Sequence, residues 1–245
     1  MNKIVAISDV HIKRPGDEAD CLLSFFFSNP KVKSADYIIL LGDIFDLMCG
    51  PHEQYLELYN HHFEALLEMQ KNGKKIYFFE GNHDVHLKKL FNKIWKDDEV
   101  VISQSPIVEL IDGKKYYFSH GDEYDLDNHA YHRYISFIRS VPMKFFADHI
   151  MPYELLCFLG EKASNISRKK GSKKFDVESV RSKFRNGVVQ KTQGKFDFIL
   201  GGHSHVKDEF KIPGSNSIYV NNGYALQSKT FISIEDHNLQ FLPLA

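Results

Sequence analysis

The chain has 245 residues, of which 43% are hydrophobic and 26% charged, and its formal net charge is −1. That balance excludes wholesale disorder and allows one large core, or a core with an insertion. A near-neutral chain has no global attraction to nucleic acid or to an anionic membrane, so any such attraction has to be local.

Ile4 to Ile7 is a short apolar run followed by Ser8-Asp9-Val10-His11, and it predicts a first strand with Asp9 and His11 at its end. A helix is expected over Glu18 to Phe27, stopped by Asn29-Pro30. Tyr37 to Leu41 predicts a second buried strand, which runs into Gly42-Asp43-Ile44-Phe45-Asp46. Glu53 to Lys71 shows helical spacing at Leu56, Tyr59, Phe63, Leu66 and Leu67, with Gly73 as its stop. Lys75 to Phe79 predicts a third strand, ending in Glu80-Gly81-Asn82-His83-Asp84, and a further helix is expected over Val85 to Trp95. Strands are expected near Val100 and over Pro106 to Leu110. Asp112-Gly113 is the turn into another strand, Lys115 to Phe118, which ends in Ser119-His120-Gly121-Asp122. No strand pattern runs through residues 123–190, which read as a helical cap, apolar first and basic after it: Glu161 to Arg185 holds nine Lys/Arg against three Asp/Glu. Strand patterns resume at Phe196 to Leu200, before Gly201-Gly202-His203-Ser204-His205, and at Ser217 to Val220, before Asn221-Asn222-Gly223. Lys229 to Ile234 and Leu239 to Leu242 predict a closing hairpin. The three cysteines, Cys21, Cys49 and Cys157, form no Cys-x-x-Cys pair and no disulfide framework, which fits a reducing compartment. The apolar run after Met1-Asn2-Lys3 is too short for a signal peptide or a membrane span, so the expectation is a cytoplasmic protein.

Five strand ends therefore carry polar clusters: Asp9/His11, Asp43/Asp46, Asn82/His83/Asp84, His120/Asp122 and His203/His205. Taken singly, each has an ordinary explanation. Asp43 could cap a helix, Gly81-Asn82-His83-Asp84 could be a turn, and His-x-His is common on surfaces. If the strands pack as one sheet, the clusters fall along one edge. Mixed imidazole, carboxylate and carboxamide suits borderline divalent ions such as manganese, iron or zinc. The set is too large for one ion. Two ions about 3.5–4 Å apart with a shared carboxylate would use it, and such pairs clamp the attacking and leaving oxygens of a displacement at phosphorus.

These five blocks resemble those of the calcineurin-like metallophosphoesterases. The resemblance implies an α/β fold, a four-layer α/β/β/α sandwich. It implies two divalent metal ions, with manganese expected and iron, zinc or magnesium as alternatives. Asp9, His11 and His205 would hold one ion, Asn82, His120 and His203 the other, and Asp43 would bridge them. His83 would act on the phosphate or protonate the leaving group, oriented by Asp46 or Asp84.

Residues 120–172 are further similar to the UDP-2,3-diacylglucosamine hydrolase family of lipid A biosynthesis. This rests on His120-Gly121-Asp122, Asn128 to Arg133, and Lys162 to Ser172. That family cleaves a pyrophosphate to UMP and 2,3-diacylglucosamine 1-phosphate under a helical cap. On this reading the chain is a single metallophosphoesterase domain, 1–245, with the cap at 123–190. Phe137, Ile138, Val141, Phe145, Phe146, Ile150, Leu155, Leu156, Phe158 and Leu159 would serve acyl chains, or would simply pack the cap onto the core. Asp122, Asn128, Tyr131, Arg133, Lys162, Asn165, Ser167, Arg168, Lys169 and Lys173 are the candidate contacts to the substrate's polar part. The cap could also touch the cytoplasmic face of an inner membrane, and no nucleic-acid partner is expected. One departure stands out. Where that family usually has Gly-Asn-Arg-Asp, this chain has His83, the general metallophosphoesterase residue. The alternative is thus a broader phosphomonoesterase or phosphodiesterase acting on nucleotides or lipid head groups, or, more remotely, a non-catalytic scaffold.

Overall fold

The strands of this chain read as unbroken apolar runs because most are covered on both faces. The computed structural model describes residues 1–96, 99–158 and 176–244. Its elements are β1 (Ile4–Ile7), α1 (Glu18–Ser28), α2 (Pro30–Lys33), β2 (Tyr37–Leu40), β3 (Met48–Cys49), α3 (Gln54–Leu58), α4 (Asn60–Lys71), β4 (Lys75–Phe79), β5 (Asp84–Val85), α5 (Lys88–Phe91), β6 (Val100–Ser103), β7 (Ile107–Ile111) and β8 (Lys114–Phe118). There follow α6 (His129–Ile138), α7 (Val141–His149), helical backbone over 153–158 (α8), α9 (Val177–Thr192), β9 (Phe198–Leu200), β10 (Lys207–Lys211), β11 (Ile218–Asn222), α10 (Ala225–Ser228), β12 (Thr230–Glu235) and β13 (Asn238–Pro243). One sheet has the order β13-β12-β1-β2-β4-β6, and a second has β10-β11-β9-β8-β7. β1, β2, β4 and β6 run parallel, as do β8, β9 and β11.

Side-chain alternation along β1 shows the layering. Val5 and Ile7 face outward into a core shared with Leu22, Leu23 and Phe26 of α1 and Phe63 and Leu66 of α4. Ile4 and Ala6 face inward with Ile39, Phe79, Phe118, Leu200 and Val220, the core between the two sheets. On the far side, Ile199 and Tyr219 pack with Phe184 and Val188 of α9. Three apolar cores separate four layers, α/β/β/α.

Several expectations are corrected. The five polar clusters do not lie on one sheet. Those of β1, β2 and β4 come from the first sheet, and those of β8 and β9 from the second. The helix expected over Glu53 to Lys71 breaks at Tyr59 (φ −115°, ψ 26°). There the buried Tyr59 ring packs 4.7 Å from Phe45 between centroids, and tertiary contact overrides helical periodicity. The helix expected over Val85 to Trp95 shrinks to Lys88–Phe91, because Asp84 and Val85 pair with Met48 and Cys49. β10, Lys-Asp-Glu-Phe-Lys, gave no apolar signal; it is an edge strand held by β11 on one side alone. The helical cap does not run to residue 190. α9 is a sandwich layer, its Arg185 gripping Asp208 of β10 through two nitrogens at 2.6 and 2.8 Å.

Phe231 of β12 is fully buried and meets Phe26 of α1 edge to face at 5.3 Å. Phe231→Ala should therefore cost about 3–5 kcal/mol, read as a lower urea midpoint at unchanged m-value. A loss below ~1 kcal/mol would mean that the outer core repacks around the gap.

Candidate dinuclear metal centre

The two sheets bring the ends of β1, β2, β4, β8 and β9 to one edge, and the backbone breaks abruptly there. Asp9, His11, Asp43, His203 and His205 all have φ between 52° and 65°, the left-handed region. For a non-glycine residue this costs roughly 1–3 kcal/mol each, and such residues cluster at functional sites. The glycines between them allow close approach. A Cβ on Gly42, itself at φ 87°, would lie 2.6 Å from His120 Nδ1; one on Gly81 would lie 2.1 Å from Asp43 Oδ1.

Among the described residues the side chains gather in three overlapping groups: two share Asp43, and a third, His11, Asp46 and His83, shares His11 with the first of them. Asp9, His11, Asp43 and His205 offer donor atoms all within 4.8 Å of one another, and so do Asp43, His120 and His203. Asp43 Oδ1 accepts from the backbone N–H groups of Asn82 (2.9 Å) and His83 (3.0 Å). Its Oδ2 lies 3.7 Å from His11 Nε2 and 3.7 Å from His120 Nε2, midway between the groups. His11 Nε2 and His205 Nε2 are 3.1 Å apart, and His120 Nε2 and His203 Nδ1 are 3.2 Å apart. Asp9 presents Oδ1 at 3.4 Å from His205 Nε2.

Surrounding groups aim these atoms. His120 Nδ1–H donates to the Leu41 carbonyl at 2.8 Å, which turns the Nε2 lone pair into the site. His11 Nδ1 lies 3.6 Å from Asp46 Oδ1. Ser8 Oγ donates to Asp9 Oδ2 at 2.5 Å, and the His203 N–H donates to the same carboxylate at 3.0 Å. Asp84 is wholly buried and accepts from the backbone N–H groups of Asp43, Ile44, Phe45 and Gly81. That places Asp84 under the loops. The atom that holds His83 belongs to Asp46: its carbonyl accepts from His83 Nδ1 at 2.8 Å, and its carboxylate is 4.0 Å away.

Burial pushes the Asp43 carboxyl up, but His120, His83, His11 and His203 outweigh it and hold it well below the usual range. Asp9 is likewise held low, burial being outweighed by His205. Among the described residues, neither carboxylate is paired with a lysine or arginine. Two buried anions among converging imidazole nitrogens, with no fixed cation, are a donor set that fits divalent metal ions. Asp9, His11 and His205 could hold one, His120 and His203 a second, with Asp43 shared between them. Asn82, half-buried, stands beside the second group through Tyr131, whose hydroxyl donates to Asn82 Oδ1 at 3.3 Å.

The substrate-side candidates divide. Tyr131 reaches the site, also approaching Asp122 Oδ2 at 3.4 Å, and its ring lies 5.1 Å from that of His203. Asn128 caps α6 instead, accepting from Tyr131 N and donating to Asp125. Arg133 is exposed, lining a surface cleft with His129, His132 and Ser136. Lys162, Asn165, Ser167, Arg168, Lys169 and Lys173 lie outside the described residues, as does Leu159.

Four residues escaped sequence reasoning. Arg139, which ends α6, donates to Asp122 Oδ2 at 2.9 Å and to the carbonyls of Glu80 and Gly81, tying the cap to the end of β4. Asn222 Oδ1 accepts from Ser8 N at 2.9 Å, joining the two sheets beside Asp9. Asn221 donates to the Gly202 carbonyl just before His203. Tyr224 stacks on His205 at 5.3 Å. Asn221-Asn222-Gly223 does follow an apolar run, the same signal that marked the other strand ends.

A two-sheet sandwich whose edge presents two imidazole–carboxylate groups sharing one aspartate defines a metal-dependent phosphoester hydrolase. The chain belongs to the calcineurin-like phosphoesterase family, whose model matches residues 2–207. It is 27% identical to the UDP-2,3-diacylglucosamine hydrolase of Aliivibrio fischeri over 209 residues, 84% of this chain and 82% of that protein. The protein of that name from Histophilus somni is 25% identical over 214 residues, 87% of this chain and 88% of its own length. That from Haemophilus influenzae is 26% identical over 210 residues, 81% of each.

Gly81→Ala should push the Asp43 carboxylate off its amides. The expected result is a loss of bound divalent metal at both groups and a stability cost of about 1–3 kcal/mol. Full metal content in Gly81→Ala would contradict this account of the Gly81–Asp43 contact.

Proposed function

We propose that the chain hydrolyses the pyrophosphate of UDP-2,3-diacylglucosamine, using two manganese ions held by Asp9, His11, Asp43, Asn82, His120, His203 and His205. Water adds to the α-phosphorus, the bond from that phosphorus to the bridging oxygen breaks, and UMP and 2,3-diacylglucosamine 1-phosphate leave. Divalent ions in such a site supply Lewis-acid polarisation of the phosphoryl oxygens and a lowered pKa for water. The chain's own residues supply position and proton control. Asp43 fixes the spacing of the two groups because its Oδ1 is locked to backbone amides. His83, with Nδ1 bonded to the Asp46 carbonyl, keeps Nε2 for the phosphate or, as imidazolium, for the leaving oxygen.

The observation that carries the substrate reading is the cap. Phe137, Val141, Phe145, Ile150 and Leu155 expose between 41% and 80% of their surface on the helices that follow Tyr131. Residues that merely packed the cap onto the core would be buried, as Leu156 is at 5%. An exposed apolar surface beside a phosphoester site suits a substrate with acyl chains. It also suits peripheral contact with the inner leaflet of the membrane that holds such a lipid. The relatives' names support the same substrate. Among the described residues no helix is long and apolar enough to cross a membrane.

His83 favours the second reading, a broader phosphoesterase, because imidazole can donate a proton where arginine cannot. Incubation of the manganese-loaded protein with UDP-2,3-diacylglucosamine separates the two. UMP release faster than turnover of simple aryl phosphates is expected; good aryl phosphate turnover with no UMP would reject the lipid substrate. His83→Ala should keep both metal ions and lower kcat by about 10²–10⁴-fold. Loss of metal in that variant would instead make His83 part of the metal-holding set.

A further inference from the structure

Away from the strand-end edge, the described residues bring together one more set of metal-binding side chains. Asp20 of α1 meets His61 and His62, in the first turn of α4. Asp20 Oδ1 lies 2.6 Å from His62 Nε2 and 3.1 Å from His61 Nε2. The two imidazole centroids are 3.9 Å apart. Asp20 Oδ2 accepts from the Gly16 N–H at 2.8 Å, which fixes the carboxylate's orientation. Asp20 and His62 are buried, while the His61 side chain is 48% exposed, so the set opens to solvent on one side. Among the described residues, Asp20 has no lysine or arginine partner.

We propose that Asp20, His61 and His62 form a separate single-ion site for a borderline transition-metal cation, zinc above all, that braces α1 against α4. Two imidazoles and one carboxylate are a donor set such ions take, whereas magnesium and calcium prefer oxygen throughout. Bonds of about 2.0 Å in a tetrahedral zinc site place donor atoms about 3.3 Å apart. The His61–Asp20 separation is close to that already. His62 has to withdraw from Asp20 by roughly half an ångström or more, a small side-chain rotation. The open side leaves a position for water. His62 Nε2 carries the proton it donates to Asp20, and on binding a metal ion that proton shifts to Nδ1, a buried atom with no hydrogen-bond partner among the described residues. The two helices make the site consequential. α1 follows the strand that ends in Asp9 and His11, and α4 leads into the strand that ends in Asn82 and His83.

The test compares wild type with His61→Ala, a half-exposed substitution expected to fold normally by circular dichroism. Both proteins are loaded with manganese, equilibrated with a small excess of zinc, freed of unbound metal, and assayed for total metal per chain. Wild type should hold one more ion than His61→Ala, whatever the number at the strand-end centre. Asp20→Asn, which keeps the shape but loses the charge, should match His61→Ala. Equal totals in wild type and His61→Ala would overturn the site and leave Asp20 as a plain hydrogen-bond acceptor for two histidines. Phosphoester turnover of manganese-loaded His61→Ala should equal that of wild type, which keeps this result independent of the catalytic reading.

Discussion

Asp43 divides its two oxygens between two tasks, and the rest of the site follows from that division. Oδ1 is bound by the backbone amides of Asn82 and His83, so the end of β2 is locked to the end of β4. Oδ2 is then left equidistant, at 3.7 Å, from an imidazole of each group. The lock requires a residue without a side chain at position 81, where a Cβ would lie 2.1 Å from Oδ1. It also requires Asp84 beneath, whose carboxylate accepts the N–H groups of Asp43, Ile44 and Gly81. A shared carboxylate can organise two ions only if it cannot swing toward one of them, and these contacts remove that freedom.

The second constraint is between the sheets. His120 and His203 come from one sheet and Asp9, His11 and Asp43 from the other, so the centre exists only where the two edges meet. The interleaved core of Ile39, Phe79, Phe118 and Leu200 sets the spacing of the layers. At the edge itself polar contacts take over. Asn222 bonds Ser8, His120 bonds the Leu41 carbonyl, and Arg139 of the cap bonds Asp122 and the carbonyls of Glu80 and Gly81. Left-handed backbone at five candidate metal-binding residues is tolerated because these contacts over-determine it.

The strand ends were legible in the sequence because an apolar run, a small residue and a polar cluster recur together. Asp9, Asp43, His120 and His203 converge for that reason. The pairing of strands into two sheets was not legible from the runs themselves, since continuous burial looks the same in either sheet. The resemblance to a known sandwich supplied it. Tyr59 has helical spacing in a segment that does not stay helical, because its ring is fixed by Phe45 from the loop after β2. Arg139 was invisible for a related reason: besides Asp122, its partners are backbone carbonyls some 58 and 59 residues away in sequence, and no motif announces them. α9 reads as cap in the sequence because a basic helix facing solvent and one facing a sheet share much of their composition. The apolar face of Val180, Phe184, Val188 and Val189 tells them apart.

Family membership and the shared aspartate make the chain a metal-dependent phosphoester hydrolase. The central claim is that Asp43 links the two groups into one centre. Electron paramagnetic resonance of the manganese-loaded protein tests this directly. Two ions joined through Asp43 should give the broad, exchange-coupled spectrum of a manganese pair, and Asp43→Ala should abolish it. A spectrum of isolated, uncoupled manganese at full occupancy of the wild-type protein would contradict the account.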